Sequence, residues 1–325
     1  ARGKGQTRIY VPARGDQPRD RNPLHAPAAD PDNCGRGITM DPITQHVSLP
    51  DGSHVVAKFF MPADGPRAAV VLPCAMGVTQ KYYRDFAEWL ASQGFAAITF
   101  DYRGMGLSAP KSLKNCKVNI SDWAAEDCAA IVATVKTQVP DRQLFWMGHS
   151  LGGQLVGMIP NRELIDGVIL VASGNGYWKT TSPQTHRNSV LMFYVLAPLF
   201  TPLFGYFPGK RLRAVGDLPA GVIHQWRRWC LNPEYMMVEG GTIRQDFADV
   251  RTPMLSISFT DDEMMSATST EGLLAFYSSA PIEKDRLSPS DVGTSRIGHF
   301  GFFRKQAETS LWPRVTNWLT RRHAA

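Results

Sequence analysis

The chain has 325 residues, of which 43% are hydrophobic, 10% aromatic and 20% charged, with a formal charge of +6. This composition belongs to a folded globular protein and excludes disordered or fibrous chains; no internal repeat marks a solenoid. The basic excess concentrates at the front, where Arg2, Lys4, Arg8, Arg14, Arg19 and Arg21 face only Asp16 and Asp20, so it does not define a nucleic-acid surface and no nucleic-acid partner is expected.

Residues 1–37, rich in Gly, Pro and Arg, cannot bury much apolar area and read as a flexible basic extension. The next stretch, "ITQHVSLPDGSHVVAKFFMP" (Ile43 to Pro62), alternates apolar and polar residues around Asp51-Gly52, a hairpin pattern. "AAVVLP" (Ala68 to Pro73) is a continuous apolar run of the kind buried on both faces of a sheet.

Helix and strand then take turns. "KYYRDFAEWLASQG" (Lys81 to Gly94) has helical apolar spacing and stops at a glycine. "AAITFDY" (Ala96 to Tyr102) reads as a strand, "SDWAAEDCAAIVATVKTQV" (Ser121 to Val139) as a helix with Ser121 as N-cap, and "QLFWMG" (Gln143 to Gly148) as a strand. This alternation predicts a mostly parallel central sheet with helices on both faces, whose ligands bind beyond the carboxyl ends of the strands. "GVILVAS" (Gly167 to Ser173) and "PMLSISF" (Pro253 to Phe259) are further strands. The aromatic, Pro- and Arg-rich residues between them are expected to form an inserted helical cap, 174–250, dividing the core into 38–173 and 251–325. A helix near Thr268 to Ser279, an edge strand near Ile282 to Leu287 and a last helix from Glu308 to Arg322 close the chain.

Gly148-His149-Ser150-Leu151-Gly152 fits G-x-S-x-G between a buried strand and a helix-compatible segment, the setting of a nucleophile elbow. Glycines suit both flanks, because side chains there would strike the adjoining strand and helix. Serine needs a base, and the base an orienting acid, each from a loop after a later strand. "TDDEMM" offers Asp261 and Asp262, and "RIGHFGFF" offers His299 between Gly298 and Gly301. The other seven histidines lie in the extension, the hairpin, the cap, the terminus or beside the serine, so His299 is the expected base. The oxyanion of acyl transfer needs two backbone N–H donors. Leu151 supplies one; "LPCAMGV" supplies the other, with Met76 the first choice and Ala75 the alternative.

These residues resemble the α/β-hydrolase superfamily, in its capped serine-hydrolase branch of monoacylglycerol lipases, lysophospholipases and serine-aminopeptidase-like proteins. "FAEWLASQGFAAITFDYRGMGLS" (Phe86 to Ser108) is similar to the family's helix, strand and D-x-R-G-x-G-x-S loop, with Asp101, Arg103, Gly104, Gly106 and Ser108 in place. The resemblance spans about Ile43 to Arg322 and matches least in the cap. It implies Met76 as oxyanion donor and Asp262 as triad acid, although Cys74-Ala75 stands where the family commonly has His-Gly. It further implies a serine hydrolase that cleaves a small to medium hydrophobic carboxylic ester through a Ser-His-Asp triad and an acyl-enzyme, without metal or organic cofactor. A thioesterase, an acyltransferase or a non-catalytic binding protein could use the same frame.

The odd, scattered cysteines Cys34, Cys74, Cys116, Cys128 and Cys230 show no ligand spacing, which fits a reducing compartment and no structural metal. With no signal-peptide pattern, a cytoplasmic location is expected. "SVLMFYVLAPLFTPLFGYFPG" (Ser189 to Gly209) is an uncharged run interrupted by Pro198, Pro202 and Pro208. It is expected to form cap helices that line an acyl pocket and touch lipid transiently, without stable membrane insertion. In the cap, Arg227 and Arg228 beside Trp226 and Trp229 suit either anion recognition or a solvated helix face, the latter being the default.

Overall fold

The computed structural model describes residues 41–323; the expected basic extension, 1–37, lies outside them. The hairpin forms as read, with β1 (Ile43–Ser48) antiparallel to β2 (His54–Phe60). The apolar runs become β3 (Ala69–Pro73), β4 (Ala96–Asp101), β5 (Leu144–His149) and β6 (Gly167–Val171), every residue of which is buried. Continuous burial is what continuous apolarity requires when both faces of a sheet are covered.

Between β6 and the next core strand the chain is mainly helical, with a two-residue pair of strands, β7 (Tyr206–Phe207) and β8 (Leu218–Pro219). The chain then re-enters the sheet as β9 (Met254–Phe259) and β10 (Ile282–Leu287). The sheet order is β1-β2-β4-β3-β5-β6-β9-β10, and from β4 to β10 all neighbours are parallel. β3 therefore lies between β4 and β5, and the carboxyl ends of β3, β5 and β9 open on the same edge.

Three helix readings need correction. The helix read from Ser121 is capped by Asn119, whose side chain accepts from the Asp122 N–H (3.0 Å) while Asp122 accepts from the Asn119 N–H (2.8 Å). It then widens into a π turn over Trp123–Cys128 before regular helix resumes at Ala129–Gln138. The π turn lets Asp127 meet Arg103 (2.6 Å) while Trp123 stacks on Tyr102, a tertiary demand that helical periodicity does not encode. The helix after Ser150 covers only Leu151–Gln154. The last helix starts at Trp312, not Glu308; Pro313 sits in its first turn, where a missing N–H costs nothing.

The inserted segment is tied to the core by Gln225. Its side-chain oxygen accepts from the N–H groups of Ile120 (2.6 Å) and Ser121 (3.0 Å), and its amide donates to the Ser121 hydroxyl (2.7 Å). These amides belong to a helical first turn and have no partner within their own helix.

Candidate active site

Strand β5 runs into a turn so sharp that Ser150 takes φ 51° and ψ −115° before the helix Leu151–Gln154 begins. This is a strained conformation for a residue with a side chain. Three bonds hold it: the Ser150 N–H donates to the Val171 carbonyl (3.0 Å), and the Ser150 carbonyl accepts from the Ser173 hydroxyl (3.0 Å) and the Gly153 N–H (3.1 Å). The flanking glycines are required by space. A Cβ on Gly148 would stand 2.2 Å from the Gly153 nitrogen, and one on Gly152 2.4 Å from the Pro73 carbonyl oxygen.

Ser150 and His299 line one cavity of about 630 Å³, with Met76 and Leu151 on its wall. Behind His299, away from the cavity, lies Asp262; its carboxylate oxygens are 2.9 and 3.1 Å from His299 Nδ1. The contact is buried on both sides. It assigns the proton to Nδ1, since a carboxylate oxygen can only accept, and leaves Nε2 as the basic nitrogen. The same Asp262 oxygen accepts from the N–H groups of Met264 and Met265 (2.7 and 2.8 Å), which fixes its rotamer.

The structure separates the two aspartates that sequence left close. Asp261 accepts from the N–H groups of Ile297 (2.8 Å) and Gly298 (3.1 Å), and so braces the loop that carries His299 rather than its ring. It also separates the two oxyanion candidates. Ala75 and Met76 both border the cavity, but the Ala75 N–H is spent on the Tyr83 hydroxyl (2.9 Å), and Leu151 opens a helix whose first N–H groups have no helical partner. Gly77 turns that loop at φ 73°, against Gly216 of the inserted segment.

Two participants escaped the sequence reading. Glu263 accepts from the His299 N–H (3.0 Å); nothing in "TDDEMM" distinguishes it from a solvated turn residue. His149 looked idle because its side chain leaves the elbow away from the cavity. It is wholly buried, with Nε2 3.0 Å from the His299 carbonyl oxygen and Nδ1 2.9 Å from the Tyr83 hydroxyl. Burial, reinforced by the nearby His299, pushes its pKa well below the usual histidine value.

The inserted segment roofs the cavity with Met192, Phe193, Leu196, Leu212 and Trp226, while Gln184, Thr185 and Asn188 give one wall a polar strip. Arg227 and Arg228 are committed elsewhere, Arg227 to the Phe193 carbonyl (2.5 Å) and Arg228 to Glu239. Cys74 is buried with its thiol toward the Phe100 carbonyl, a packing role. Among the described residues, no group of three or more His, Cys, Asp or Glu is placed to hold a metal ion.

Solved structures share this architecture. A soluble variant of monoglyceride lipase from Saccharomyces cerevisiae, in complex with a substrate analogue, superposes with a TM-score of 0.64 at 17% identity, over 89% of this chain and 97% of that one. The chain has the α/β-hydrolase fold. An esterase of the same hydrolase fold from Pyrococcus furiosus matches 86% of this chain and 91% of its own, with a TM-score of 0.57 and 14% identity.

By sequence, the chain matches the family described as serine aminopeptidase, S33, over residues 64–204. That stretch contains Ser150 but neither Asp262 nor His299. A monoglyceride lipase homolog of monkeypox virus is 26% identical over 126 residues, which are 38% of this chain and 44% of that protein. Esterase EstD of Thermotoga maritima is 24% identical over 145 residues, 42% of this chain and 32% of that protein. The matched region thus spans less than half the length of either relative.

Proposed function

We propose that the protein is a serine hydrolase of small to medium hydrophobic carboxylic esters. The observation that carries this reading is the strained Ser150 at a strand–helix turn, sharing a cavity with the Asp262-oriented imidazole of His299. Ser150 Oγ attacks the ester carbonyl while His299 Nε2 takes its proton, and Asp262 stabilises the resulting imidazolium. Negative charge on the carbonyl oxygen is met by the Leu151 and Met76 N–H groups; Met76 is preferred because the Ala75 N–H is already bonded to Tyr83. The tetrahedral intermediate collapses as His299 protonates the leaving alcohol. Water, deprotonated by His299, then attacks the acyl-enzyme and releases the acid and free Ser150.

A cavity of about 630 Å³ suits a molecule of this size, its apolar roof facing the acyl chain and the polar strip the alcohol. The relatives named monoglyceride lipase and esterase favour the same chemistry. We further infer that residues 174–250 act as a cap that meets lipid surfaces. Within the 22-residue helical run Pro183–Phe204, long and apolar enough by length and composition to cross a membrane, Val190, Leu191, Tyr194, Val195, Leu199 and Leu203 stand in water at 41–70% exposure. The other side of that run roofs the cavity, so it is read as lying against lipid rather than spanning it.

The test is incubation with a fluorophosphonate, read by intact mass beside Ser150→Ala. One adduct on the native protein and none on the variant supports the reading; an ester and thioester panel then ranks the leaving groups. A folded native protein that takes up no adduct overturns it.

A further inference from the structure

His149 is buried beside the nucleophile, yet no step of acyl transfer uses it. Both its ring nitrogens are bonded, and the partners dictate the roles. The His299 carbonyl can only accept, so His149 Nε2 carries the proton. In the neutral ring Nδ1 must then accept, so the Tyr83 hydroxyl donates to it. The Tyr83 oxygen in turn accepts from the Ala75 N–H. The result is a one-way chain of three hydrogen bonds, 2.9, 2.9 and 3.0 Å long, from the oxyanion loop to the backbone of the base.

We propose that Tyr83 and His149 are a positioning pair, which holds the oxyanion loop and the His299 loop in register across the nucleophile elbow; the proposal rests on the serine-hydrolase reading above. At one end the pair occupies the Ala75 N–H, leaving the next amide in the loop for the substrate oxygen. At the other it holds the carbonyl of His299 itself, while Asp261 and Glu263 accept from the loop's N–H groups and the Tyr82 hydroxyl donates to the neighbouring Phe300 carbonyl. Neither aromatic can drift: Tyr82, Phe300 and Phe303 enclose the His149 ring at centroid distances of 6.4, 5.6 and 5.1 Å, and Phe303 packs against Tyr83 at 4.9 Å. A protonated His149 would place an N–H at Nδ1 and reverse the Tyr83 bond, so the chain has one direction only while the ring stays neutral.

Misplacing an oxyanion donor or a base by a fraction of an ångström weakens the transition state more than the ground state. The experiment is steady-state kinetics of the full chain on a soluble p-nitrophenyl ester, with pH profiles, for Tyr83→Phe, His149→Phe and the double variant. Each single change is expected to lower kcat about 10–100-fold with KM within about twofold, and to shift the acidic limb of the kcat/KM profile, where the base must be free of its proton. The double variant is expected to be no slower than the slower single variant, because either change cuts the same chain. Tyr83→Phe removes one oxygen and keeps the packing, so a thermal melt close to the native one keeps the test valid even if His149→Phe folds poorly. An unchanged kcat in Tyr83→Phe, a loss confined to KM, or losses that multiply in the double variant would overturn the pairing. Fluorophosphonate labelling of Ser150→Ala serves as the separate control. Labelling that survives there defeats the serine-hydrolase reading itself, whereas its loss beside a native-like Tyr83→Phe defeats only the pair.

Discussion

Replacing Leu199 and Leu203 with serine tests whether the outward side of the run Pro183–Phe204 meets lipid. The two leucines are 58% and 70% exposed, so between them rather more than one whole leucine side chain is left in water. Transferring that much apolar surface into a bilayer interface is worth about 3 kcal/mol, taking roughly 2–3 kcal/mol for a full leucine. At about 1.4 kcal/mol per tenfold, the double variant should partition into phosphatidylcholine vesicles about a hundred times less well than the native chain. Neither residue borders the cavity, so hydrolysis of a soluble short-chain ester should stay within about twofold, inside the usual range for surface changes. Vesicle co-sedimentation across a lipid titration measures the first quantity and steady-state kinetics the second. Partitioning within threefold of native, or an equal loss on the soluble ester, would refute the reasoning.

Three further outcomes are expected. Asp262→Asn should lower kcat about 10³–10⁴-fold with KM little changed, since an amide no longer selects the Nδ1–H tautomer of His299; steady-state kinetics on a soluble ester would check this, and a loss below tenfold would point to another acid. Gly152→Ala places a Cβ 2.4 Å from the Pro73 carbonyl oxygen, so backbone must move; a melting temperature several degrees lower and slower fluorophosphonate labelling are expected together. His149 supplies a pH signature. Its folded pKa is depressed, so below about pH 6.5 the unfolded chain binds a proton that the folded chain refuses, and stability must fall with acidification at up to about 1.4 kcal/mol per pH unit. Urea unfolding from pH 7.5 to 5 should therefore show a steeper decline for the native protein than for His149→Phe; parallel curves would contradict a neutral, buried His149.

Much of this architecture was legible because its signals are local. Runs such as Val70, Val71 and Leu72 or Val168, Ile169 and Leu170 have no polar side to present to water, so they can only be interior strands. Glycines at 148 and 152 bracket a serine in a spacing that makes sense only at a crowded turn. What stayed hidden depends on partners remote in the chain. Whether the Ala75 or the Met76 amide is free is decided by a hydroxyl eight residues away, and whether Asp261 or Asp262 meets the imidazole is decided by how residues 297–299 return to β9. The π turn at Trp123–Cys128 answers to Arg103, which no helical period reports.

The Gln225 clamp has a consequence for modularity. Because one side chain of the insertion completes the first turn of a core helix, the boundary between the two is not a clean cut at the ends of β6 and β9. An insertion grafted from a protein of the same fold, without a glutamine at that place, would leave the Ile120 and Ser121 amides unserved and fray the helix that carries Trp123 and Asp127. Conversely, the deuterium uptake of those two amides reports how firmly the inserted segment is seated.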